Sequence, residues 1–123
     1  MEYPSSITIK GQRYKVEYVE TLREVGANFE GEDWIGFCDH ANKTIRVFAD
    51  RVPFDIVETF LHEVTHGIFN RNKALKLALK DGAEEIFVDA FSTDLLAFLL
   101  ENGYIQLPEG LPPITKRIVD EVR

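Results

Sequence analysis

His62-Glu63-Val64-Thr65-His66 is the stretch on which the reading of this chain turns. It has the form H-E-x-x-H and lies inside an apolar-periodic segment covering residues 55–70. On an α-helix, residues four apart lie on one face, one turn above each other. His62 and His66 can therefore share one metal ion. Glu63 sits about 100° round the helix from His62, near enough to reach a water on that metal without being a ligand. Zinc held by three protein ligands keeps a fourth position for water and lowers its pKa to about 7. A neighbouring carboxylate can then take the proton and return it to a leaving amine. The motif thus predicts metal-assisted peptide hydrolysis, with Glu63 as general base, and a helix is the context it requires. The plainer reading is three polar residues on a solvated helix face. Two of the chain's three histidines fall in the motif, and chance gives such a match in roughly one chain of this length in a few hundred.

At 123 residues, a single domain spanning 1–123 is expected. A hydrophobic fraction of 45% and a charged fraction of 28% are those of a soluble globular chain. The net charge is −7 and no basic cluster stands out, so direct nucleic-acid binding is not expected. One cysteine, Cys38, excludes an internal disulfide and a thiolate metal site. It reads as a buried strand residue. With no signal-like start and no long apolar run, a cytoplasmic protein without membrane attachment is expected.

Residues 7–10 and 14–19 alternate around Gly11-Gln12 and predict two strands. Val16 and Tyr18 share one face, with Lys15, Glu17 and Val19 on the other. Residues 21–33 read as a loop or short irregular helix. Residues 34–38 and 44–48 predict a second hairpin, joined by turn formers at 39–43. His40 falls in that turn and reads as a solvated histidine. The strand at 44–48 is a candidate edge for β-addition of an extended peptide. Pro53 marks a break, and Asp55 with Glu58 resembles a capping pair. Val57, Phe60, Leu61, Val64 and Ile68 form an apolar stripe, with the histidines off its centre. Residues 70–79 continue the helix, cover the site or move. Gly67 either permits close packing or weakens the helix. A long helix is predicted over 83–101, stopped by Asn102-Gly103. Ile86, Phe87, Ala90, Phe91, Leu95, Phe98 and Leu99 predict a broad face packed on both the motif helix and the sheet. Residues 114–122 are spaced for a short terminal helix.

A third metal ligand must come from elsewhere, since no histidine follows His66. Glu84, Glu85 and Asp89 are the candidates. Glu85, Asp89, Ser92 and Leu96 fall on one helical face. With Glu85 as ligand, Asp89 sits one turn behind, placed to accept a ring N–H and fix a histidine tautomer. That economy selects Glu85 over Glu84, although two acids in a first turn also suit the helix dipole. Tyr104 is a candidate phenolic donor to the oxyanion, or a packed surface tyrosine.

Together, His62-Glu63-Val64-Thr65-His66, Glu85-Ile86-Phe87-Val88-Asp89 and the strand-turn-strand before them resemble zincins with a glutamate third ligand. More narrowly, residues 34–100 resemble the small ImmA/IrrE-type metallopeptidases of bacteria, mobile elements and phages. The F-A-x-x-L-L helix of that family is matched here by Phe91-Ser92-Thr93-Asp94-Leu95-Leu96. Thr65 stands where the family often has glycine, and Asn70 where it often has a further histidine. The resemblance implies a zinc-dependent fold, with His62, His66 and Glu85 as ligands and Glu63 as general base. It also implies a regulatory protease whose substrate is a cytosolic transcriptional repressor.

The expected architecture is α+β: a small antiparallel sheet packed on two long helices that share a Zn2+ site. The expected function is metallopeptidase action on a peptide or protein. The alternative is a zincin-fold binding or regulatory module that cleaves little.

Overall fold

The computed structural model describes residues 2–26 and 34–117. Chain order is β1 (Ser6–Ile9), β2 (Gln12–Val19), α1 (Leu22–Val25), β3 (Gly36–Asp39), β4 (Thr44–Phe48), α2 (Pro53–Asn70), α3 (Lys73–Ala78) and α4 (Ala83–Glu101). The result is an α+β arrangement with a four-stranded sheet ordered β1-β2-β4-β3.

The first hairpin turns on Lys10 and Gly11, both at positive φ (47° and 82°). Two such residues in succession make the tight turn whose twist suits antiparallel strands. The turn therefore lies one residue earlier than Gly11-Gln12. Tyr14, Val16 and Tyr18 point from β2 into the core. On the opposite face Glu17 pairs with Arg46 at 3.5 Å.

The sheet is mixed, and this corrects the expectation of a wholly antiparallel one. β2 and β4 run parallel, with Val16 beside Ile45 and Tyr18 beside Val47. The other two pairs are antiparallel. The connection from β2 to β4 is long, passing through α1 and β3, which is what a parallel pairing requires. Alternation along a strand shows which residues face the core but not which neighbour the strand takes. One consequence is that β4 lies inside the sheet, with Ile45 and Val47 fully buried. It offers no edge for a peptide. The edge strands are β1 and β3.

α2 starts at Pro53, whose fixed φ and missing N–H suit a first helical position. The residue before it, Val52, makes no side-chain cap, so the proposed Asp55–Glu58 capping pair is not formed. Ile56, Val57 and Phe60 are buried, each burial stabilising by about 1.5–3 kcal/mol. Ile68, placed in the apolar stripe from sequence, is instead exposed, while Phe69 is buried. Residues 70–79 do not continue α2. α3 is a separate helix capped by the Asn72 side chain, which accepts from the Leu75 N–H at 3.1 Å.

α4 spans the residues predicted for it but presents a different face. Its buried residues are Val88, Ser92 and Leu96, and it packs on α2 with no comparable contact to the sheet. Ile86, Phe87, Phe91 and Phe98, read from sequence as core, are exposed. A helix apolar nearly all round has no single face that periodicity can select. Here Val88, Ser92 and Leu96 are the buried side, and their packing turns Glu84 and Glu85 toward the histidines of α2.

Residues 114–117 are extended, not helical. Thr115 donates to the Tyr18 carbonyl at 2.7 Å, beside the half of β2 that β1 does not reach. The rest of the predicted terminal helix, and residues 27–33, lie outside the described residues. Among the described residues, no helix is long and apolar enough to cross a membrane.

Gly67 is buried where α2 crosses the sheet, and an added Cβ would come 2.7 Å from Ile9 Cδ1 and 3.7 Å from Cys38 Sγ. Close packing is therefore its role. Gly67→Val is expected to lower stability by about 1–3 kcal/mol through overpacking. The check is a lower urea midpoint at unchanged slope.

Candidate metal centre

His62, Glu63 and His66 come from the middle of α2, and Glu84, Glu85 and Asp89 from the start of α4. Because α4 is turned toward α2, the Glu85 carboxylate reaches both imidazoles. Its Oε1 lies 2.9 Å from His62 Nε2, and its Oε2 lies 2.8 Å from His66 Nε2. The two rings stand 4.9 Å apart, centroid to centroid. One donor atom from each of the three residues falls within 4.8 Å of the other two.

Glu84 takes a part of its own. Its Oε2 lies 2.7 Å from His66 Nδ1, a charge-assisted hydrogen bond in which the ring donates. Asp89 approaches His62 Nδ1 only to 3.7 Å, beyond hydrogen-bond reach. The geometry thus brings Asp89 beside a histidine, while the histidine held by hydrogen bond is His66, held by Glu84. Sequence spacing could not separate these cases. Glu84 and Glu85 are adjacent on the helix, so one can face Nε2 of His66 while the other reaches round to Nδ1.

The donor set suits a small divalent cation. His66 Nδ1 is committed to Glu84, which leaves Nε2 as the lone-pair nitrogen of the neutral ring. That nitrogen faces a Glu85 oxygen at 2.8 Å, a contact that is repulsive unless a second ring proton or a cation lies between. Burial alone would lower the pKa of His66. Its hydrogen bond to Glu84 and the charges of Glu63 and Glu85 outweigh this and raise it. Ligand atoms of a tetrahedral zinc stand about 3.3 Å apart, so the ring–carboxylate contacts need open by only about half an ångström.

Glu63 packs against β3 at Gly36 and lines the same cleft as His62 and His66. Only 7% of it is exposed. Burial pushes its pKa up to about 7, with the charge of Glu85 adding to the rise and that of His66 opposing it. A carboxyl so placed can exchange a proton near neutral pH. Gly36 makes this position possible. A Cβ there would meet Thr59 Cγ2 at 2.5 Å and Glu63 Oε2 at 2.9 Å. Gly36 was missed in the sequence. The available signal was a glycine inside a strand, which often marks a close backbone approach.

These groups line a cleft of about 600 Å³. One wall is the approach to β3 and its backbone, from Trp34 to Cys38. The floor is Glu58, Thr59, His62, Glu63 and His66. The other wall is Glu85, Asp89, Ser92 and Thr93. His40, in the turn as expected, is half-buried and also lines it. Its Nδ1 stands 3.5 Å from Cys38 Sγ, and burial, then the nearby His66, lowers its pKa. Cys38 is buried in β3, and burial followed by the charge of Glu63 pushes its thiol up to about 12. Tyr104 is 70% exposed and lies beside Phe98, away from the cleft. No residue of 70–82 lines the cleft.

Comparison with protein-family models, with curated proteins and with solved structures finds no match to this chain.

The geometry ranks the side chains by their effect on metal affinity. His66→Ala or Glu85→Ala should abolish stoichiometric zinc uptake. Glu84→Gln should weaken it about tenfold or more, as loss of a ligand's hydrogen-bond partner does. Asp89→Asn should change it little. Competition titration against a chromogenic chelator measures all four.

Proposed function

We propose that this chain is a small zinc-dependent metallopeptidase of zincin type, akin to the ImmA/IrrE-type enzymes that its motifs resemble. The observation that carries the proposal is the convergence of His62, His66 and Glu85 donor atoms beside a buried Glu63 at the floor of an open cleft. His62, His66 and Glu85 would hold the zinc. When bound, the ion supplies Lewis acidity, acidifying water and polarising a peptide carbonyl.

The remaining work falls to the chain's own residues. Glu63 accepts the proton of the attacking water and delivers it to the departing amine. Its raised pKa suits both steps, because a carboxyl titrating near neutrality binds and releases a proton at similar cost. Glu84 keeps His66 in the tautomer that presents Nε2. β3 is the edge strand beside the catalytic floor, so its backbone is the wall along which an extended peptide would add by strand pairing. An extended substrate would then pair with Gly36–Asp39 rather than with Thr44–Phe48, which is internal to the sheet. The substrate class is a flexible segment of a protein, with a transcriptional repressor as the regulatory example the resemblance suggests. A cytoplasmic setting fits the single, reduced Cys38.

Glu63→Gln is expected to retain one equivalent of zinc and to lose about 100- to 10,000-fold in hydrolysis of a quenched-fluorescent peptide library. An unchanged turnover rejects the mechanism. Zinc-loaded wild-type protein that cleaves neither the library nor repressor proteins rejects the hydrolase reading in favour of a binding module. Gly36→Ala tests the strand approach separately. It should displace the Glu63 carboxylate and lower kcat about 10- to 100-fold, as misplacement of a catalytic group by about an ångström does. Metal uptake should be unaffected.

A further inference from the structure

The outer face of α4 is largely uncovered by the described residues. Ile86 is 75% exposed, Phe87 45%, Phe91 40% and Phe98 52%. Leu79, Ala83, Ala90 and Leu95 complete a shallow apolar groove with Ile86, Phe87 and Phe91. Leu77, on α3, is 88% exposed. The aromatic rings are not scattered: Phe87 sits 5.5 Å from Phe91 and 5.3 Å from buried Phe69. On the usual sizes of such side chains, the solvent-facing apolar surface amounts to about 600 Å². That is at the top of what an isolated monomer normally exposes in one patch.

We propose that this face pairs with a second copy of the same chain, α4 against α4 in antiparallel. Three features select that occupant. The first is shape. The face is one stripe along a single helix, about 22 Å from Ala83 to Phe98, so an antiparallel copy matches it length for length. A two-fold axis crossing α4 midway between Phe87 and Phe91 sets Phe87 of each copy against Phe91 of the other, as an isologous interface requires.

The second feature is charge. Lys73, Lys76 and Lys80 are exposed on the segment leading into the N-terminal end of the stripe, with Asp81 the one acid in residues 73–82. Glu84 and Glu85, at that end, are turned to the histidines of α2. Asp94 lines the groove toward its other end, followed by exposed Glu101. Antiparallel pairing brings the basic end of one copy to the acidic end of the other. Parallel pairing would set like charges together. The third feature is area. Two such faces bury on the order of 1,200 Å², the lower edge of the range for stable specific interfaces, which corresponds to a dimer of moderate affinity.

Pairing here leaves the cleft open. Glu85 and Asp89 line the cleft on the α2 side of α4, and the groove lies on the other. α4 is otherwise held along one side only, against α2. A second copy would brace the helix that carries Glu84 and Glu85. The inference does not rest on peptidase activity, and its test requires none.

Sedimentation velocity of the purified chain, from about 1 µM to about 200 µM, brackets the affinity expected of such an area. A concentration-dependent shift from monomer to dimer is expected. Phe91→Glu should raise the dissociation constant at least about tenfold, and Asp94→Lys several-fold. Far-UV circular dichroism should be unchanged, because both positions are exposed. Ile86→Lys serves the same purpose should Phe91→Glu fail to fold. Leu111→Glu alters an exposed apolar residue elsewhere and should leave association intact. A wild-type chain that remains monomeric at the highest concentration overturns the proposal and leaves the face to a different occupant. So does a dimer indifferent to Phe91→Glu and Ile86→Lys, or one disrupted by Leu111→Glu.

Discussion

The packing of α4 on α2 is the contact on which everything at the site depends. Val88, Ser92 and Leu96 are buried in the seam between the two helices. Their position fixes the rotation of α4, and with it the aim of Glu84 and Glu85. One carboxylate meets both Nε2 atoms, and its neighbour takes the remaining nitrogen of His66. Imidazole nitrogens facing acid oxygens at less than 3 Å are costly without a proton or a cation to share. The seam thus holds in register three side chains whose donor atoms could together hold a metal ion.

A second close approach sets the acid–base chemistry. Glu63 owes its raised pKa to burial more than to any single charge. That burial exists because the strand carrying Gly36 lies almost in contact with its side chain. The same contact brings one edge of the sheet to the cleft. The burial of Glu63 and the closeness of β3 to the cleft floor therefore both depend on one missing methyl group.

The two faces of α4 divide its labour. The face toward α2 carries the acids and small or aliphatic packing residues. The opposite face carries most of the aromatic bulk and is left largely uncovered by the described residues. A helix serving only as a carrier of metal ligands would be expected to present polar residues to water. Its aromatic outer row is a separate property of the chain, best accounted for by association.

Much was legible in the sequence because it depends on residues close together along the chain. His62, Glu63 and His66 had to share a helix. The limits of α4 followed from Gly82 and from Asn102-Gly103. The face shared by Glu85, Asp89, Ser92 and Leu96 was also readable from spacing, and it is the face that packs. The error was to assign the Phe87–Phe91 side to the core as well, since hydrophobicity alone does not say which side of an apolar helix is covered. Long-range pairing decided the rest. It set β4 parallel to β2 and left β3 as an edge. It also put Gly36 against Glu63, drew His40 into the cleft and gave Glu84 the hydrogen bond to His66. Each of these joins residues far apart in sequence, where neither helical period nor strand alternation carries information. The chain alone determined which groups could do chemistry, and tertiary packing determined which of them meet.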